Sequence, residues 1–503
     1  MRLPAPHVSL SSAHVSLSSA PGRWIVLACV LASGLAGVDA TVVNIALPDI
    51  GADLRVDFAS LQWTITGYTL TLASFVLIGG SLGDRYGHRR VLVVGVAWFA
   101  VASLLCAVAS TSPWLIGARA LQGVGGALLM PASLAILEAV FDADDRGRAI
   151  GTWSAFSGAA SAIAPFVGGW LLDVADWRWV FLINPPLAVL VVVLAVRHVP
   201  ETHDAAAAGR LDVAGSLLCV VGLGALTAGL IAAGERPPTD VAVWLPMALA
   251  AAALIGFLVV ERWQPHPMLP LGLFRIRAFT ATNAVTFLLY AANSGALLLL
   301  VVELQTVTGF SPLLAGAALM PITVVMLLLA SRFGALAGRI GARPLMAVGP
   351  LVSAAGLVLM TRLNASSGYV VDVLPAVTVF GLGLAVFVAP LTGTALASVP
   401  HARAGLASGV NNAVARAAGL VAIAALPALT GITGDVYRDP VRFLPAFHAA
   451  IWICAGLQVA GGLLAWIAVP GRSLTGDPRC SVNLSGDPVG GASIPGRAPS
   501  GSR

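Results

Sequence analysis

No lysine occurs anywhere in the 503 residues, and all 28 basic side chains are arginine. A P-loop places its lysine on the nucleotide phosphates, so an ordinary Walker A site is excluded. Any vectorial work must be driven by something other than the chain's own ATP hydrolysis. Charge as a whole is scarce. Charged residues make up 10% of the sequence and hydrophobic ones 58%, with a mean hydropathy of +0.90, against roughly 25% charged residues in soluble domains. That excludes a soluble globular class and gives a polytopic membrane protein. Cysteine is sparse and scattered: Cys29, Cys106, Cys219 and Cys454 fall in apolar stretches and Cys480 near the end, with no CxxC pair. Neither a disulfide framework nor a metal site is expected. HExxH and SxxK patterns are missing too, and no GxSxG pattern supports catalysis, so an enzyme is not expected and no cofactor is implied. Nor is a nucleic-acid partner. The first apolar span is too long for a cleavable signal peptide, contains Asp39 and Asn44, and lacks a small-residue cleavage site after it.

What the chain has in abundance is long apolar runs. A window of about 19 residues gives fourteen of them, near 24–47, 61–82, 91–109, 113–137, 148–172, 179–197, 212–234, 242–262, 279–302, 313–331, 344–361, 371–394, 404–430 and 446–469. Each is long enough for a helix across a hydrocarbon core of roughly 30 Å. With an even number of spans both termini share a side. Assigning that side to the cytoplasm puts 20 of the 28 arginines inside, six outside and two, Arg119 and Arg416, within spans. That asymmetry is what the positive-inside rule requires. The longest connection, His198 to Leu211, holds the run Ala205 to Ala208 and reads as a hinge. At the amino terminus HVSLSSA occurs twice in tandem, His7 to Ala13 and His14 to Ala20. Residues 1–23 and the Gly/Pro/Ser-rich tail 470–503 are expected to be disordered.

Asp39 is the outlier among the spans. A carboxylate inside a membrane segment costs several kcal/mol and by default faces a cavity or a partner. Two readings stand: an acid locked in an ion pair for packing, or a proton or cation site. A repeat gives the context. GGSLGDRYGHRR (Gly79 to Arg90) joins spans two and three, and FGALAGRIGARP (Phe333 to Pro344) joins spans ten and eleven. Two related six-helix halves follow, residues 24–199 and 279–469, with a linker and two inserted helices over 200–278. Paired halves around a midplane cavity are a transporter architecture.

On these residues the chain resembles the major facilitator superfamily, and within it the fourteen-helix drug:proton antiporters. GSLGDRYGHRR is similar to that superfamily's G-x-L-x-D-R-x-G-x-R-R loop. WLIGARALQGVGGALLMP (Trp114 to Pro131) is similar to its R-x-x-Q-G-x-G span, and WRWVFLINPP (Trp177 to Pro186) to the start of span six. LQTVTGFSPLLAG (Leu304 to Gly316) and AGLASGVNNAVARAAG (Ala404 to Gly419) resemble the second half. The span-five antiporter motif is partial. In ASAIAPFVGG (Ala160 to Gly169), Pro165, Gly168 and Gly169 stand, while Ala160 and Ala164 replace two glycines.

The resemblance implies an all-α fold of fourteen transmembrane helices in the bacterial inner membrane. It implies a monomer with both termini cytoplasmic that exchanges a lipophilic, cationic drug or antibiotic for protons. Gly80, Asp84, Arg85, Gly87, Arg89 and Arg90 would form a conformational lock between the halves; a generic positive-inside loop is the plain alternative. The second copy has Gly338 where the first has Asp84. Asp39 and Arg119 enter their spans from the same face to depths that agree within roughly 5 Å at 1.5 Å per residue, so an ion pair is expected to be within reach, either static or as a switch. Glu303, at the outer end of span nine, reads as a snorkelling interfacial acid or as a second proton or cation ligand. Arg416 would balance Glu303 or a substrate anion. Glu138 reads as part of a solvated face. Trp63, Tyr68, Phe156 and Tyr290 either line a pocket or face the bilayer. A transporter of a specific, anionic metabolite is the first rival function, and a membrane-embedded enzyme or receptor the remote one.

Overall fold

The computed structural model describes residues 15–202, 212–264, 267, 269–400 and 404–471, and its regular structure there is helical. Fourteen spans run in order: α1 Ala20–Leu54, α2 Phe58–Tyr86, α3 His88–Ala107, α4 Ser112–Val140, α5 Ala143–Val174, α6 Trp179–His198, α7 Val213–Glu235, α8 Val241–Trp263, α9 Arg277–Thr306, α10 Pro312–Ile340, α11 Ala342–Met360, α12 Tyr369–Ala397, α13 Ala404–Thr430 and α14 Pro440–Ala468. Thirteen are long and apolar enough to cross a membrane as they stand, and α2 is the fourteenth once its 49° bend after Val76 is taken as one span. The bend falls beside the Gly79–Gly80 pair, where a helix lacks side chains to hold it straight. Prolines account for two further breaks. α6 is interrupted at Ile183, just before Pro185 and Pro186, and α10 at Leu319, just before Pro321. Each proline removes a ladder N–H.

α1–α6 pack among themselves, and so do α9–α14. The α7–α8 hairpin lies against α2 and α13. It is peripheral: 28% and 22% of its apolar windows are buried, against 61% in α1 and 67% in α9. Across the halves α5 meets α10, α2 meets α13 and α1 meets α9. Two large cores result. One, built from residues such as Ile25, Leu35, Phe99 and Leu137, stays inside the first half. The other runs continuously from Val42, Phe58 and Leu115 of the first half into Leu300, Phe380 and Phe443 of the second. The halves are therefore fused at one end, the outer end of the expected topology.

The repeated loops turn alike. Gly87 (φ 101°) and Gly341 (φ 87°) end α2 and α10 and start α3 and α11, in a region costly for any residue with a Cβ. One expectation needs correction. The serine segment is ordered from Val15 onward: Val15 N–H donates to the Val140 carbonyl at 3.1 Å, Leu17 N–H to Asp145 Oδ2 at 2.9 Å, and Ser19 caps α1. The first copy of the heptapeptide, the run Ala205 to Ala208 and the tail beyond 471 lie outside the described residues.

Candidate functional site

Asp39 and Arg119, each 1% exposed, meet in a direct ion pair between α1 and α4. Gln122 sits three residues after Arg119, on the same helix face. Its Nε2 donates to Asp39 Oδ1 at 2.8 Å and to Ser103 Oγ of α3 at 2.8 Å. Asn184 Nδ2, at the break in α6, donates to the same Asp39 oxygen at 3.0 Å. Asp39 therefore accepts from three side chains on two helices. Arg119 also donates to the Thr64 carbonyl at 3.3 Å, and its guanidinium lies over the Tyr68 ring at 4.2 Å and the Phe181 ring at 5.8 Å. The close approach of α4 to α2 that permits this depends on Gly123, where a Cβ would collide with the Tyr68 carbonyl and Thr71 Oγ1.

Such a carboxylate is complete only while ionised. Three donors, one of them the Arg119 cation, satisfy its oxygens, and a proton arriving there removes the charge that Arg119 balances. Breaking one side of a buried pair costs about 3–5 kcal/mol, because the other charge is left uncompensated. The arrangement can therefore act as a two-state element whose equilibrium follows protonation of Asp39.

The second half differs from expectation at two positions. Glu303 does not snorkel: it is 0% exposed, its Oε1 accepts from Thr308 Oγ1 at 2.9 Å, and its Oε2 is buried without a hydrogen-bond partner. Arg416 does not balance it. Arg416 Nη2 faces the Met130 sulfur of α4 at 3.7 Å, its Nε has no hydrogen-bond partner, and it makes no ion pair among the described residues. Of the four aromatics, Tyr68 is buried against Arg119 rather than facing lipid, Tyr290 packs on the second-half core, Trp63 is half-buried and Phe156 is exposed. Glu138 is exposed.

At the outer end, the span-five residues press α5 onto neighbours from both halves. A Cβ on Gly168 would lie 2.5 Å from Val42 Cγ1 of α1, and one on Gly169 would lie 2.6 Å from Leu313 Cα of α10. The Pro165 carbonyl abuts Gly316 of α10. Hydrogen bonds add to this closure. Gln62 Nε2 donates to the Ile423 carbonyl at 2.6 Å, Gln305 Nε2 to the Ile45 carbonyl at 3.0 Å and Tyr437 Oη to the Val56 carbonyl at 2.9 Å. Arg438, next in the chain, donates to the carbonyls of Gly51 at 2.5 Å and Val56 at 3.0 Å. Burial pushes the Tyr437 hydroxyl above its ordinary value.

The loop residues at the opposite end pair locally. Asp84 Oδ1 contacts His88 Nε2 at 3.1 Å, and Arg85 lies over the Tyr86 ring. Glu201 takes Arg89 and Arg90 at 3.4 and 3.5 Å, and a Cβ on Gly87 would collide with that carboxylate. A Cβ on Gly80 would lie 3.8 Å from Pro131 Cβ of α4, at ordinary distance.

The side chains that sequence reasoning missed are Gln122, Asn184 and Ser103. Gln122 and Asn184 stood inside motifs already noted, and an uncharged amide inside a span was the signal available.

Comparison with known proteins agrees with this architecture. The family model described as Major Facilitator Superfamily matches residues 29–423. A puromycin resistance protein of Streptomyces alboniger is 35% identical over 482 residues, covering 92% of this chain and 95% of that one. A tetracenomycin C resistance and export protein of Streptomyces glaucescens is 34% identical over 430 residues, covering 85% and 80%. Among solved structures, a D-xylose–proton symporter superposes with a TM-score of 0.62 at 16% identity, covering 89% of this chain and 98% of that one, a likeness of fold alone.

Proposed function

Because the chain belongs to the major facilitator superfamily, we propose that it is a proton-coupled exporter of lipophilic drugs or antibiotics, working as a monomer in the bacterial inner membrane with both termini cytoplasmic. The resistance and export proteins among its relatives support the export of such compounds. The observation that carries proton coupling is the buried Asp39, held by Arg119, Gln122 and Asn184 in a state sealed at the outer end. In the proposed cycle this state presents the substrate path to the cytoplasm with Asp39 ionised. Opening to the outside exposes Asp39 to protons, and neutralisation loosens α1 from α4 and α6. The loop from Gly80 to Arg90 would act in that outward-open state, with Asp84 exchanging His88 for a partner across the halves. Carriage of cations by competition at Asp39 is the finer form of this reading. It requires the carboxylate to shed Gln122 and Asn184.

The test is proton release on addition of substrate to the detergent-solubilised protein, repeated in proteoliposomes under an imposed pH gradient. Wild type should release protons and drive uptake into inverted vesicles. Asp39→Asn should do neither while still binding substrate, and unchanged proton release in that variant would remove Asp39 from the mechanism.

A further inference from the structure

Arg416 is a half-buried charge within the spans that the cycle above does not use. It sits midway along α13 and faces the other half, where the only acceptor it meets among the described residues is the Met130 thioether. Sulfur is a weak acceptor, and a guanidinium carries five donors that it cannot give up. Its Nε is buried with no hydrogen-bond partner. Tyr68 of α2 and Tyr290 of α9 lie within electrostatic reach. Arg416 and Met130 nevertheless both keep partial exposure, so α13 and α4 do not close completely over this space between the halves. Asn412, one turn away on the same face, is exposed as well and donates to the Ser408 carbonyl at 3.3 Å.

A bare cation at this depth is costly, and the fork geometry of arginine suits paired oxygens. Asp39 offers no compensation, because its oxygens are already taken. We infer that Arg416 anchors an acceptor-bearing group of the transported molecule, a carboxylate, a phenolate or paired carbonyls, beside Tyr68 and Tyr290. The inference rests on the export reading only in taking this space as the substrate path. A small inorganic anion offers the same chemistry and is the competing source.

Equilibrium binding separates these outcomes. The full-length protein in lipid nanodiscs, without a pH gradient, is titrated with two xanthene dyes of similar size, anionic eosin and cationic rhodamine 6G. Arg416→Gln should weaken eosin by about tenfold or more, the usual scale for a hydrogen bond to a charged group. Rhodamine 6G should be unaffected. Arg416→Lys keeps the charge without the fork and should fall between, which decides the matter alone if the glutamine variant does not fold. Equal eosin affinity in all three proteins, equal loss of both dyes, or no eosin binding by wild type would overturn the assignment. So would chloride abolishing the wild-type preference, since a halide would then be the occupant. Vesicles that bind eosin yet move no compound under a pH gradient would sink the export reading and leave the Arg416 site standing.

Discussion

In the first half the buried carboxylate of Asp39 is met by donors from α4 and α6, and its countercharge Arg119 lies over two aromatic rings. In the second half Arg416 faces a thioether, and Glu303 has one oxygen without a hydrogen-bond partner. Inside the spans of the second half, neutral amides and hydroxyls also pair. Asn411 donates to Asn283 and Thr286, and Gln458 donates to Asn293. The two six-helix bundles thus handle intramembrane charge differently. The first completes its charges internally, which suits an element that must hold one arrangement until a proton arrives. The second leaves them incomplete, which suits a surface whose partner comes and goes.

The largest expected difference is in stability. Arg119→Gln leaves Asp39 charged and buried, so a loss of about 3–5 kcal/mol is expected. The double variant Asp39→Asn with Arg119→Gln should recover most of it. Arg416→Gln removes a charge that was never paired and should leave stability unchanged or raise it. Thermal unfolding of the three proteins in one detergent checks this. If Arg416→Gln destabilises as strongly as Arg119→Gln, the contrast between the halves collapses.

A second contrast concerns close packing. Gly169 of α5 has no room for a side chain, because the backbone of Pro312 and Leu313 occupies it. Gly338, in the second copy of the loop motif, has nothing within 4 Å. Gly169→Val should therefore prevent closure of the outer end and shift the protein toward outward-open states. Gly338→Ala should change the balance little. Spin-label distances across the outer ends of α5 and α10 measure both, and matching distributions for the two variants would show that the outer contact does not govern the state.

Much of this was legible beforehand, because in a bilayer apolar length and charge placement are nearly the whole grammar. The fourteen spans followed from hydropathy, and the meeting of Asp39 with Arg119 from equal depth at 1.5 Å per residue. What escaped has physical reasons. Gln122 and Asn184 carry no charge, so a scan for intramembrane charge passes over them, although they complete the coordination of Asp39. The ordering of Val15 to Ser19 depends on Val140 and Asp145, partners distant in sequence that local composition cannot announce. Of the two readings of Glu303, the snorkelling one fails: the apolar window ends at residue 302, which puts the acid at the interface. The helix instead runs on to Thr306, and Thr308 folds back on the carboxylate.

Glu303 carries the smallest effect. Glutamine keeps the volume, and its amide oxygen can still accept from Thr308, so the fold should tolerate Glu303→Gln with a stability change within about 0.5 kcal/mol or a slight gain. The change removes a negative charge on α9, at the end where the halves are fused. If that charge serves substrates, it should serve those with a second positive group. The expectation is a several-fold loss of transport for dicationic compounds, with monocationic ones spared. Matched mono- and dicationic dyes in the same inverted vesicles give the measurement. Equal transport of both by Glu303→Gln would mark Glu303 as a packing acid satisfied by Thr308. Equal loss of both would place it with Asp39 as a second completed charge, and the second half would then no longer be the one that leaves its charges open.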